Sequence, residues 1–153
     1  MFIMTPIRSL LFCALSGLVL LGVSPNVRAA TNSEPINQEA VQLSPQTQNG
    51  VSYLTGGIGL DESQALLQTR GYNLHIVSSV GPKGEYLPDV DITIQKAGGE
   101  SVLSLTQVGP IVYVKLPDGK YEVISRRNGH ENRQNVVLSG NAGQTVNVNW
   151  RVE

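Results

Sequence analysis

The sequence predicts an all-β fold, a seven-stranded antiparallel β-sandwich with one short helix near its start. Three observations predict it. Apolar residues recur at every second position over most of residues 72–152, the pattern of strands with one buried face. Short Gly- and Pro-bearing turn sequences separate those runs. The only cysteine, Cys13, lies in an N-terminal apolar run, so the remaining domain has no disulfide, Cys-ligated zinc or cysteine nucleophile and must be held by apolar burial.

The chain of 153 residues opens on MFIMTPIR and runs into LLFCALSGLVLLGV, an uncharged apolar stretch that closes on Val27-Arg28-Ala29. That order reads as a secretory signal, residues 1–29, cleaved after Ala29 or Ala30. Gly17, Gly22, Ser24 and Pro25 interrupt the run, whereas a membrane span needs about 20 consecutive apolar residues. No stable membrane span is therefore expected after cleavage. A lipoprotein cysteine would end the apolar run; Cys13 is followed by more of it, which argues against a lipid anchor.

Residues 30–49, with TNSEPINQEAVQLSPQTQ at their centre, hold too few large apolar side chains to offset the entropy of ordering them, and read as a disordered spacer. The sandwich domain is assigned to residues 50–153. It opens on YLTGGIGLDESQALL, where Gly56, Gly57 and Gly59 form a turn and Asp61 is positioned as the N-cap of a short helix, with Glu62 in its first turn. Leu66 and Leu67 supply its apolar side, Gly71 ends it, and it is expected to cover one end or edge of the sandwich.

Strands follow in order. YNLHIVSS places Tyr72, Leu74 and Ile76 on one face, and DVDITIQK places Val90, Ile92 and Ile94 on another. VLSL comes next, then IVYVKL with Val112, Val114 and Leu116 aligned, then YEVISR with Tyr121 and Val123. TVNVNWRV alternates throughout, with Val146, Val148, Trp150 and Val152 on one side. GPKGE, AGGE, VGP, PDGK, NGH and SGNAGQ are the separators: Gly supplies positive φ and Pro presets the turn.

A Gly-rich turn before a helix raises the question of phosphate binding. A dinucleotide fold spaces its glycines G-x-G-x-x-G within βαβ units, and a P-loop follows them with Gly-Lys-Ser/Thr; GGIG satisfies neither. Asp61 and Glu62 stand where an anion would approach the helix. The glycines are read as a structural turn.

YLTGGIGLDE, GYNLHIVSS, GEYLPDVDITI, VLSLTQVGP, LPDGKYEV and Trp150, spanning residues 50–153, resemble small exported bacterial carboxypeptidase regulatory-like proteins, with their transthyretin-like and starch-binding-like relatives. The resemblance implies a seven-stranded sandwich without catalytic residues, an accessory or binding module whose relatives contact carbohydrate or other proteins.

Candidate chemistry is sparse. Asp89 and Asp91, two apart, are weak candidates for a cation or a general base, but calcium wants six to eight oxygens, and no metal site is assigned. His75 and His130 have no nucleophile at an informative spacing. Of the large rings, Tyr72, Tyr121 and Trp150 face inward, leaving Tyr86 and Tyr113 as the sugar-stacking candidates. No catalytic residue and no cofactor is indicated. With Arg8 and Arg28 removed in the signal, nine of the eleven Lys and Arg remain against twelve Asp and Glu, a formal charge of −3, so nucleic acid is not an expected partner. The sequence thus points to a periplasmic or secreted non-catalytic module that contacts an envelope protein, or alternatively binds glycan.

Overall fold

The computed structural model describes residue 41, residues 43–140 and residues 142–151. The residues read as a signal peptide, the first part of the region read as spacer, and Val152 lie outside the described residues. Ten strands and one helix follow in order: β1 (Gln46–Gln48), β2 (Val51–Gly56), α1 (Leu60–Gln68), β3 (Leu74–Val80), β4 (Glu85–Tyr86), β5 (Val90–Lys96), β6 (Ser101–Val108), β7 (Ile111–Lys115), β8 (Gly119–Arg127), β9 (His130–Leu138) and β10 (Gln144–Trp150). One sheet has the order β1-β2-β7-β3-β10, with β4 paired to the end of β3; the second has the order β6-β5-β8-β9. The fold is an all-β sandwich.

Alternation places the core where expected. Leu74 and Ile76 from β3, Val90, Ile92 and Ile94 from β5, Val112 and Val114 from β7, and Val146 and Val148 from β10 meet between the sheets. Burying each such side chain contributes about 1.5–3 kcal/mol relative to leaving it exposed. Trp150 packs against this cluster from the end of β10.

Four details depart from the sequence reading. Seven strands become ten among the described residues, because the stretch around YLTG is β2, Glu85–Tyr86 is a two-residue strand, and Gln46–Gln48 is β1. The end of the region read as spacer is therefore ordered: β1 pairs antiparallel with β2 through Gln48↔Val51, and Leu43 packs beside α1. The turn between β1 and β2 is Asn49-Gly50, both at positive φ (51° and 77°), the type I′ geometry whose twist matches that of a hairpin. Asn128-Gly129, at φ 47° and 78°, joins β8 to β9 in the same way. The sheet is also not wholly antiparallel, since β10 crosses from the other sheet and runs parallel to β3 from Gln144↔Leu74 to Trp150↔Val80.

The fourth departure is the helix. It lies on the outer face of the first sheet, not at an end or edge: Leu66 is buried with Leu54, Ile111 and Tyr113, the outward-facing residues of β2 and β7. β7 is consequently buried on both faces, from Ile111 to Val114. Among the described residues no helix is long and apolar enough to cross a membrane.

Candidate functional site

The glycine turn is closed by the chain's own carboxylate. Gly56 ends β2, and a Cβ added there would come within 2.5 Å of Glu62 Oε1. Gly57 holds φ 94°, where an added Cβ would press on Ile111 at 2.9 Å. The Gly57 and Ile58 backbone N–H groups donate to Glu62 Oε2 at 3.0 and 2.9 Å. These are the donors an anion would seek, and Glu62 occupies them. Asp61 is not the N-cap. The helix begins at Leu60, so the cap falls on Gly59, at φ 103°, without a side-chain hydrogen bond, and Asp61 is exposed in the first turn. Glu62, third in the helix, reaches back as the glutamate of a capping box does, one and two residues further upstream than usual.

Asp89 and Asp91 do not share a strand. Asp89 lies outside β5 at φ 60°, where strand alternation no longer applies. Asp91 accepts the Gln107 N–H at 2.9 Å, at the register shift where β6 carries an extra residue against β5. Gln107 has φ 50°, so the carboxylate secures a bulge. His75 projects from the outer face of the first sheet and Asp91 from the second, so the sandwich separates them. Among the described residues no group of three or more His, Cys, Asp or Glu side chains could hold a metal ion.

Tyr86 and Tyr113 differ. Tyr86 is 44% exposed, but Tyr113 is only 4% exposed, beneath α1 and stacked on His75 with ring centroids 4.0 Å apart. Burial, then the nearby Tyr86 phenol, pushes the Tyr113 hydroxyl above its ordinary pKa of 10.0. Tyr113 is thus removed as a sugar platform; outward alternation on β7 does not mean solvent, because a helix covers that face.

Two of the cavities bear on function, neither anticipated in full. The first runs along one side of the sandwich, where β1 and β6 are the terminal strands of the two sheets. About 370 Å³ in volume, it is lined by Gln46, Gln48, Thr55, Thr106 and Gln107, among others. The Ser104 backbone N–H, on the open edge of β6, donates to the Gln48 side-chain oxygen at 2.8 Å. Tyr53 Oη donates to Gln46 Oε1 at 2.7 Å, and the Gly109 N–H donates to Thr55 Oγ1 at 3.1 Å. The outward Ser104 N–H of β6 is therefore met by a side-chain amide.

The second cavity, about 350 Å³, lies where the β8–β9 hairpin meets the end of β10, and includes Arg127, Glu131, Asn132, Asn149, Trp150 and Arg151 in its lining. Among the described residues, the buried side-chain polar atoms without a hydrogen-bond partner are Ser125 Oγ, Arg127 Nε and Trp150 Nε1. Two of the three belong to this lining, and Ser125 is one inward position deeper on β8. A buried donor left unsatisfied costs about 1–3 kcal/mol.

No family model matches the chain, and no curated protein sequence does. Among solved structures, the backbone protein of group B streptococcus pilus 2b is similar, with 16% identity and a TM-score of 0.38 over 76% of this chain and 53% of that one. The chain thus spans about half the length of the solved protein it matches.

Proposed function

We propose that this chain is an exported, non-catalytic sandwich module that acts through contacts with another protein of the cell envelope, accepting an extended segment of that partner along the open edge of β6. The observation that carries the reading is the Ser104 N–H, a strand-edge donor met by the side chain of Gln48 and by no strand backbone among the described residues. Strand addition supplies affinity through main-chain hydrogen bonds, and an incoming segment would displace that amide. The resemblance to carboxypeptidase regulatory-like modules supports the same reading.

A photo-cross-linking residue at Thr106 tests it in the native cells. Capture of one protein from Thr106, absent from a control cross-linker at the exposed Val137 and lost on Ser104→Pro, is the expected result. Proline removes the edge N–H and is tolerated on edge strands. Capture that survives Ser104→Pro, or none, refutes strand addition.

The amide and hydroxyl lining also favours a second reading, a carbohydrate-binding module that hydrogen-bonds sugar hydroxyls in the same groove. Calorimetry with soluble peptidoglycan fragments separates the two: heat lost on Gln48→Ala would favour glycan, and no heat at millimolar concentration would exclude it.

A further inference from the structure

Arg127 and Trp150 occupy the last inward-facing positions of β8 and β10, in line with Tyr121, Val123 and Ser125 on one strand and Val146 and Val148 on the other. Both reach the cavity at the Asn128-Gly129 hairpin, and each brings a solvent-shielded N–H with no acceptor. Of the side-chain acceptors in the lining, the Glu131 carboxylate and Asn132 Oδ1 already take other donors. Glu131 takes hydrogen bonds from Arg126 and Arg133, and Asn132 Oδ1 accepts from Gln134 Nε2 at 3.2 Å. Asn149 is bound through its amide nitrogen to Ser79 Oγ and the Gly81 carbonyl.

We propose that Arg127, Trp150 and Arg151 form a binding site for a carboxylate-bearing ligand, whose oxygens accept the Arg127 Nε–H and Trp150 Nε1–H while its apolar body lies against the indole. An arginine Nε–H and its neighbouring Nη–H form a planar fork that matches the two oxygens of a carboxylate and fits a tetrahedral anion less specifically. The Arg151 guanidinium adds positive charge, and the indole gives the cavity an aromatic wall. The edge groove shares no lining residue with this site, so the proposal does not depend on the partner reading.

Trp150 is the sole tryptophan and reports directly. The full chain is titrated with sodium benzoate and with N-acetylalanine, against sodium chloride and inorganic phosphate at equal ionic strength. A saturable change in Trp150 emission with the carboxylates, absent with chloride and weaker with phosphate, is expected. Arg127→Lys keeps the charge but loses the fork, and should weaken binding about tenfold. If that variant loses its native near-UV spectrum, Trp150→Phe decides, read by saturation transfer to the ligand's own protons, with a loss of about fivefold. Equal response to chloride or phosphate, or undiminished binding by the deciding variant, overturns the proposal.

Discussion

The two outer faces of the sandwich are finished in different ways. On the first sheet, α1 lays Leu66 over Leu54, Ile111 and Tyr113, an apolar cover fastened at its start by Glu62. On the second, Ile124 is buried with no helix above it among the described residues, and the cross-strand register places Arg133 opposite. Around it runs a charged ladder: Arg126 Nη2 to Glu131 Oε2 at 2.6 Å, Arg133 to Glu131, and Arg133 Nη1 to Glu122 Oε2 at 2.9 Å. A helix cover depends on packing and cannot be screened; a ladder of partly exposed ions depends on pH and salt, and each pair contributes little. The two faces should therefore fail under different conditions.

Removing the packing should have the largest effect. Leu66→Ala is expected to cost about 2–5 kcal/mol in denaturant unfolding. A loss below the lower bound would mean that α1 is loosely seated. Gly57→Val comes next, roughly 1–3 kcal/mol from the positive φ, with the approach to Ile111 added to it. An unchanged thermal midpoint would return the glycine turn to consideration as a binding element. Glu62→Gln should cost about 1–2 kcal/mol and speed hydrogen exchange in α1 while leaving β5 and β8 protected. Uniform exchange in both regions would contradict a local clasp.

The smallest effect belongs to the ladder and is conditional. The Arg133 hydrogen bond, then Arg126, holds the Glu131 carboxyl below its ordinary value of 4.5. A depressed acid stabilises the fold above its unfolded pKa, and that contribution is lost as pH falls through the lower folded value. Glu131→Gln should flatten the stability curve below about pH 4.5 and leave the salt response of α1 unchanged. Identical acid limbs for the two proteins would show that the ladder contributes nothing measurable.

Much of this was legible in the sequence because alternation is a direct image of a half-buried strand. Val90, Ile92 and Ile94 read inward and are fully buried, as are Leu74 and Ile76. Where a second layer intervenes the image fails: Tyr113 alternates outward but lies under α1. β2 was obscured because Tyr53 and Leu54 are buried on opposite faces, leaving no alternation to detect beside the glycines. The Asn49-Gly50 pair was a usable hairpin signal for β1, overlooked against its polar surroundings. At Asp89 a left-handed φ ends the strand rule that would have paired it with Asp91. The Arg127 cavity could have been approached by continuing the row of Tyr121 and Val123 through Ser125 to Arg127, which shows a charged side chain turned toward the core.

The parallel pairing of β10 with β3 bears on the order of folding. Gln144 must find Leu74 across most of the domain, and the ladder that forms lies at the far edge of the first sheet. Such non-local closure is entropically costly before it is rewarded, and slow. The β5–β6 and β8–β9 hairpins have only local searches to complete, so the second sheet can assemble early while the first waits for its last strand. Until β10 docks, one edge of β3 is unpaired, so that edge is the last part of the first sheet to be closed.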